Sequence, residues 1–252
     1  MKTTARRALR FAALLLLRAR ALPFAAPAGP LLIVAPHPDD ECLGCAGLLL
    51  RHRRTGGRAR IVFLTDGSAS HPGHPVLNPQ TLATRRSAEA IEAARRLGLD
   101  PDDLVFLGLP DGRLPHLPKH QHADAVRRLA HEIGRAAPES VFVTSLRDGS
   151  SEHAAARELV DEALAGLPSA IRRFEYLVWA VYSPRHLLRI ALASPAPRRL
   201  RFPGLGPAKQ HALAAHESQF LPSPPWPDAV QPRDFANAFS TEEEYFIEYH
   251  SR

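Results

Sequence analysis

Residues 36–41, Pro-His-Pro-Asp-Asp-Glu, gather an imidazole and several carboxylates within six consecutive positions. His37 and Asp40 are three residues apart, so a single turn of the chain can point both at one ion. Neutral imidazole nitrogen and carboxylate oxygen are both ligands that suit zinc. Asp39 lies between them and would point elsewhere, where it could act as a general base on a zinc-activated water. The spacing therefore indicates a metal site with a base beside it.

The elements around this motif decide whether such a site can form. The apolar segment 31–34 is typical of a buried strand, and the small residues at 42–48 predict the start of a helix. Open α/β sheets place their sites at the carboxyl ends of strands, which is where this motif would lie. A simpler alternative stays open at this point: Asp39 or Asp40 caps the helix by accepting backbone N–H bonds.

The rest of the chain alternates short apolar segments with amphipathic ones, which favours βα units and a mostly parallel sheet. We expect an α/β fold, a Rossmann-like three-layer sandwich, with a single domain over 30–252 after an N-terminal segment at 1–29. The acidic run at 242–244 is expected to begin a solvated helix. The predicted strands are 31–35, 60–65, 104–107, 140–144 and 174–181, and the predicted helices are 42–55, 81–98, 119–136, 153–166 and 207–219.

Four further segments follow the motif at 36–41 in order: 60–67 ending in Thr-Asp-Gly, 86–99 with R-x-x-E and a final Leu-Gly-Leu, 104–112 ending in Pro-Asp-Gly, and 141–153. Over roughly residues 30–165 these five segments resemble the LmbE/PIG-L-like family of zinc-dependent N-acetylglucosaminyl deacetylases, whose first motif is A-H-P-D-D-E. The resemblance implies an LmbE-like fold and a hydrolase that removes acetyl from an N-acetylglucosamine-type sugar or glycoconjugate.

The resemblance also implies roles for individual residues. His153 joins His37 and Asp40 as the third ligand of one zinc ion, and Asp39 is the catalytic base. Three protein ligands with one open position are typical of catalytic rather than structural zinc. Arg86 and Asp111 are expected to contact the sugar hydroxyls, although a surface salt bridge and an ordinary turn residue would explain them equally well. Ser150 is the third residue expected at the substrate.

The chain departs from the family at one functional position. The family commonly has H-P-D-H where this chain has Ser-Ser-Glu-His at 150–153, so Ser150 replaces a histidine that acts on the reacting groups. Serine carries no positive charge near neutral pH, and losing such a group typically costs on the order of a hundredfold in rate. His71, His74 and His116 are candidate substitutes. The alternative is a relative with altered activity, or one that binds sugar or metal without catalysis.

Cys42 and Cys45 form a C-x-x-C pair at the predicted helix start. Such a pair can be a redox motif, because a helix N-terminus lowers a thiol pKa. It could instead supply zinc ligands, or consist of small residues that pack beneath the site. Two cysteines do not form a disulfide framework, which is consistent with a reducing, cytoplasmic location.

The remaining ambiguity concerns charge and the N-terminus. The formal net charge is +6, but aromatic residues make up only 7% and no basic stripe with interleaved aromatics is present, so no nucleic-acid partner is expected.

Residues 1–22 combine basic positions with an apolar run at 11–17, too short to span a bilayer. They resemble the start of a signal peptide, or a basic amphipathic helix that docks on the core or contacts a membrane surface.

Overall fold

The computed structural model describes residues 2–167, 170–232 and 234–250, with side chains from residue 5 onward. The strands are β1 (Leu22–Pro23), β2 (Leu31–Ala35), β3 (Ala59–Thr65), β4 (Leu104–Leu109), β5 (Ser140–Thr144), β6 (Arg172–Tyr176), β7 (Arg198–Arg201) and β8 (Glu243–Tyr249). The α-helices are α1 (Lys2–Arg20), α2 (Asp40–Arg54), α3 (Pro79–Arg96), α4 (Lys119–Ala136), α5 (Ser151–Ala165), α6 (Trp179–Tyr182), α7 (Pro184–Ala191), α8 (Gly206–Leu213) and α9 (Glu217–Phe220).

Within the described residues the strands form one sheet in the order β1-β7-β8-β6-β5-β2-β3-β4. Every pairing is parallel except those of β8, which runs antiparallel to β6 and β7. Strand β2 pairs with β3 on one side and β5 on the other, so the chain order reverses direction there. Open α/β sheets bind their ligands at such a switch point.

The central strand β2 is covered on both faces. Its alternate residues Leu31, Ile33 and Ala35 belong to a core layer with side chains of α2, α3 and α8, whereas Leu32 and Val34 pack against α4 and α5. Burying each Leu or Ile side chain contributes about 1.5–3 kcal/mol. The loop that follows β2 is therefore attached to a rigid three-layer sandwich. This architecture confirms the predicted fold class.

The sheet ends earlier at β6 than the sequence predicts. Strand β6 stops at Tyr176 rather than 181, and α6 follows almost at once. The backbone N–H groups of Val178, Trp179 and Ala180 all donate to the carboxylate of Asp148, at 2.9 Å each. A carboxylate that collects three consecutive N–H groups turns the chain out of the sheet.

The expected solvated helix at 242–244 is wrong, because β8 begins there instead. Glu244 is buried and receives Lys209 Nζ at 2.8 Å and the N–H groups of Gly47 and Leu48 at 2.7 and 2.8 Å. Lys209 Nζ also donates to Leu43 O at 2.9 Å. Two buried charges with several hydrogen bonds satisfy each other, and this pair attaches β8 and α8 to α2, the helix that begins at the acidic motif.

The N-terminal segment forms helix α1, as the amphipathic alternative predicts. Ala13 and Leu17 are buried against Leu187 and Ile190 of α7, in a cluster that also includes Tyr245 of β8. No helix in the described part of the chain is both long and apolar enough to cross a membrane. The division into a segment 1–29 and a domain 30–252 stays a prediction.

Candidate active site

The acidic motif and the more distant histidine meet at the carboxyl ends of the parallel strands. His37 and Asp39 lie in the loop after β2, Asp40 begins α2, Asp111 follows β4, and His153 lies in the first turn of α5 after β5. A cavity of about 310 Å³ opens beside them. It is lined by His37, Asp39, Asp40, Leu43, Ala69, Ser70, Arg86, Asp111, Gly112, Val178, Trp179, Gln219, Val230, Gln231 and Phe235.

Three side chains converge with the atoms that ligate metals. His37 Nδ1 lies 3.1 Å from Asp40 Oδ2, and His153 Nε2 lies 3.4 Å from Asp40 Oδ1. One ligand atom from each of the three residues falls within 4.8 Å of the other two. The imidazoles come from opposite ends of the matched region, so only the fold brings them together. This arrangement could hold one divalent cation.

The state of His153 supports that interpretation. Its Nδ1 lies 2.5 Å from Asp148 Oδ2, so Asp148 fixes the ring. Its Nε2 is fully buried and has no hydrogen-bond partner among the described residues, yet it faces the Asp40 carboxylate. Burial lowers the pKa of His153, but the charge of Asp40 and the hydrogen bond with Asp148 outweigh it and raise the pKa above its ordinary value. A cation could bind between the buried His153 Nε2 and the Asp40 carboxylate. Histidines that ligate metals are typically oriented by a hydrogen bond at their other ring nitrogen, as Asp148 orients His153.

His37 is held through its second nitrogen as well. Its Nε2 lies 2.7 Å from Glu152 Oε2 and 3.3 Å from Asp111 Oδ1. Glu152 also accepts the backbone N–H groups of Gly112 and Leu114, at 3.1 and 2.9 Å. Burial lowers the pKa of His37, but these hydrogen bonds raise it well above its ordinary value. Glu152 thus ties the loop after β4 to His37 and orients the ring.

Asp39 adopts a backbone conformation that non-glycine residues rarely use, with φ of 145°. Such conformations typically cost about 1–3 kcal/mol and concentrate at active sites. Glu41 Oε2 accepts the Asp39 backbone N–H at 2.9 Å, and Glu41 Oε1 lies 3.0 Å from His216 Nε2. All three side chains are buried, so this chain of contacts holds Asp39 in place.

The Asp39 carboxylate faces the buried guanidinium group of Arg86. Arg86 Nη2 lies 3.3 Å from Asp39 Oδ1 and donates to Pro38 O at 2.6 Å, while Nη1 donates to Gly67 O at 3.0 Å. Gly67 has φ of 67°, and a Cβ there would lie 2.7 Å from Arg86, so glycine permits this close approach. Burial raises the pKa of Asp39 to about 6, and the charge of Arg86 opposes that shift.

Comparison with known proteins agrees with this geometry. The family described as PIG-L: GlcNAc-PI de-N-acetylase matches residues 32–164, more than half of the chain. A Bacillus anthracis protein named "Probable N-acetyl-alpha-D-glucosaminyl L-malate deacetylase 2" is 31% identical over 198 residues, which cover 75% of this chain and 80% of that protein. The chain belongs to the PIG-L family.

Solved structures show the same fold as this PIG-L family member. A conserved protein from Thermus thermophilus is similar with a TM-score of 0.63 and 28% identity, covering 88% of this chain and 95% of that one. The N,N'-diacetylchitobiose deacetylase from Pyrococcus horikoshii also superimposes with a TM-score of 0.63, at 21% identity, covering 89% and 85%. Its likeness shows the fold alone.

Two predicted substrate contacts have different surroundings in this PIG-L protein. Asp111 lines the cavity and accepts the backbone N–H of Ala69 at 2.8 Å, with its other oxygen toward His37. Arg86 also lines the cavity, but it is buried and its guanidinium bonds to two carbonyls and Asp39, so it is not a surface salt bridge. Contact of either residue with a sugar stays a prediction.

Ser150 has a structural role at its position. It is the N-cap of α5, and its hydroxyl accepts the backbone N–H of His153 at 3.4 Å. The three candidate substitutes for the missing histidine do not line the cavity. His71 and His74 are buried against Trp226, and His116 is exposed.

The two cysteines lie in the core. Cys42 and Cys45 are free and fully buried, and burial raises the pKa of both thiols well above the ordinary value. Thiol redox chemistry needs an accessible thiolate with a lowered pKa. The structure therefore favours the packing role over the redox alternative.

Several contributors to the site carry no assigned role from the sequence. Glu152 stands beside His153 in the motif, which is the one signal that could have found it. Asp148 gives no such signal, because its backbone partners lie thirty residues further along the chain at 178–180. His216 reaches Glu41 across 175 positions. Long-range contacts of this kind are visible only in the folded chain.

Replacing Glu41 with alanine tests the contacts that hold Asp39. We expect kcat for catalysis at this site to fall by about 10- to 100-fold, a loss of the size typical when a residue that supports a metal site from outside is removed. Glu41→Gln, which keeps one oxygen for the Asp39 N–H, should recover most of that loss. Glu92→Ala, on the solvent side of α3, is the matched control and should leave kcat unchanged. Full kcat in Glu41→Ala would contradict the role.

Proposed function

We propose that this protein is a metal-dependent hydrolase that removes the acetyl group from an N-acetylglucosamine-type sugar or glycoconjugate. The observation that carries the proposal is the convergence of His37, Asp40 and the fully buried His153 beside the proposed base Asp39, where His37, Asp39 and Asp40 line one cavity. Membership of the PIG-L family and the deacetylase name of the Bacillus anthracis relative support the reaction type.

The residues fit a divalent metal, and zinc is the ion that their chemistry favours. Two imidazole nitrogens and one carboxylate oxygen would hold it, from His37, His153 and Asp40, and this donor set suits zinc. When bound, such an ion supplies a Lewis acid that polarises a carbonyl and lowers the pKa of water. Asp148 and Glu152 orient the two imidazoles through their other nitrogens.

Asp39 is proposed as the general base and then the general acid. It takes a proton from the water whose oxygen attacks the acetyl carbonyl carbon. As the C–N bond breaks, the same proton passes to the leaving nitrogen, which gives a free amine and acetic acid, and the acid then ionises to acetate in water. Arg86 holds the carboxylate from one side, and its two carbonyl contacts keep the guanidinium in place. Positioned general acid–base groups contribute typically about 10²–10⁴-fold.

The cavity wall supports a sugar-sized substrate. Trp179 provides half-buried aromatic surface, and the fully buried Phe235 packs against it with ring centroids 4.6 Å apart. Asp111, Gln219 and Gln231 supply polar groups on the same wall. Ligand sites typically combine apolar and aromatic surface with a few placed polar groups.

A second candidate function rests on Ser150. Ser150 stands where the family commonly has a histidine. It caps α5 and cannot carry a charge near neutral pH, so it does not replace that histidine chemically. A relative that binds sugar and metal but turns over slowly, or not at all, would show the same three-residue metal group.

The decisive experiment combines metal analysis with acetate release. The purified full chain, loaded with zinc, should contain about one zinc per chain and release acetate and free amine in equal amounts from at least one of a broad panel of N-acetyl amino sugars and their conjugates. A chain that binds zinc fully but releases no acetate across the panel supports the second candidate. A chain that binds no divalent metal contradicts both.

A further inference from the structure

The outward face of helix α1 is apolar and has no partner among the described residues. Its exposed side chains follow helical spacing, with Leu15 and Phe11 47% and 61% exposed. Residues at i, i+4, i+7 and i+11 lie along one side of a helix. The stripe consists of Ala8, Phe11, Ala12, Leu15 and Ala19, all exposed.

The opposite side of α1 packs on the protein. Ala13 and Leu17 are buried against α7, and Arg10 Nε donates to Val181 O at 3.0 Å. The chain therefore anchors one face of this helix through ordinary core contacts and leaves a second apolar stripe exposed to solvent. Contiguous exposed apolar surface on a folded protein typically marks an interaction site.

Helix α7, which packs on the buried side of α1, has exposed apolar side chains of its own. Its Leu188 and the following Leu192 are 38% and 59% exposed. We define the apolar stripe of α1 with these two leucines as the α1–α7 face. The two helices are strongly basic, since they contain several arginines and no Asp or Glu. Exposed arginines on the two helices are Arg6, Arg7, Arg20, Arg185 and Arg189.

We propose that the α1–α7 face binds the surface of an anionic lipid membrane, with its apolar stripe in the interface and its arginines at the head groups. A helix with Phe and Leu on one side and Arg along its margins is typical of binding in the plane of a membrane interface. Each Arg near an anionic surface contributes attraction that salt screens. This proposal is independent of the proposed catalytic function.

The charge pattern favours a membrane over a second copy of the chain. A two-fold dimer through this face would place the same patch on both sides. Arginines of one copy would then meet arginines of the other, because neither helix contains an acidic residue and the nearby Asp234 already pairs with Arg7 of its own copy. An anionic lipid surface complements that charge and accepts the apolar stripe at once.

Vesicle co-sedimentation of the full chain tests the proposal. Vesicles of phosphatidylcholine with about a third phosphatidylserine should bind the protein, and pure phosphatidylcholine or high salt should weaken binding strongly. The double variant Phe11→Ser/Leu15→Ser should lower the binding constant by at least about tenfold, because each side chain gives up apolar burial. The control Val76→Ser/Leu221→Ser removes two other exposed apolar side chains, far from α1 in sequence, and should bind as the parent does.

Three outcomes would overturn the proposal. One is binding that is equal for anionic and neutral vesicles, or equal for the parent and the Phe11→Ser/Leu15→Ser variant. Another is a dimer in light scattering that the same variant dissociates, since the face would then join two copies. The third is a mature protein from its natural cells whose N-terminus begins after Arg20. Melting temperatures matched to the parent confirm that the surface variants are folded, and Arg185→Gln/Arg189→Gln provides a second, purely electrostatic test.

Discussion

Asp39→Asn is expected to lower kcat by about 10²–10⁴-fold, the range that positioned proton transfer contributes, while the chain keeps its metal. The amide has the shape of the carboxylate but cannot take a proton from water. Asparagine also tolerates a positive φ better than most residues, so the 145° conformation can persist. Steady-state kinetics with metal analysis of the same sample measure both effects, and KM should change much less than kcat.

A matched control separates this result from a general effect of lost charge. Asp66 follows β3 and its carboxylate accepts the backbone N–H of Ser68 at 3.0 Å, but it does not line the cavity. Asp66→Asn should therefore keep kcat within about twofold of the parental value. A substitution away from the cavity typically changes free energies by no more than about 0.5 kcal/mol. If Asp39→Asn retained parental turnover at full metal content, the base would have to be another group.

His153→Ala is expected to remove the metal from the chain and turnover with it. Losing only an outer partner typically costs about 10–100-fold in metal affinity, and His153 is placed to be a ligand itself. The fold should survive, because Asp148 keeps the N–H groups of Val178, Trp179 and Ala180 after the imidazole is gone. Equilibrium dialysis against zinc followed by metal analysis gives the affinity directly.

The control for this change is another buried histidine. His52 on α2 is buried and its Nε2 lies 3.0 Å from Arg58 O, at the end of the helix away from the cavity. His52→Ala should lower stability but leave the metal content at the parental level. Parental zinc affinity in His153→Ala would exclude the three-residue metal group, even if activity were lost.

The local pattern of the sequence was sufficient to predict the central elements and to propose His37 and Asp40 as a pair of metal ligands. Strand β2 follows from a short apolar run, and the motif after it is local, since the two proposed ligands are three residues apart. Resemblance to a family then supplied His153, which composition and spacing do not identify. The alternation of strand and helix segments predicted the fold class, and the structure confirms it.

The weaker predictions share one physical cause. A strand cannot be recognised from its own residues when charges on it are paired elsewhere, as Glu244 of β8 is with Lys209. The end of β6 is set in the same way by a carboxylate, Asp148, that lies about thirty positions earlier. Both contacts are long-range, so no window of the sequence contains both partners.

The amino-acid sequence by itself thus determined the alternation of strands and helices, the acidic motif and its place at the end of a strand, because these depend on neighbouring residues. Only the tertiary structure decided which side chains orient the two imidazoles, what holds Asp39 in its strained conformation, and where Ser150 lies. It also decided that the apolar side of α1 faces outward. The contacts of His37 with Glu152, of Asp39 with Arg86 and of α1 with α7 join groups that are distant along the chain and adjacent only after the chain has folded.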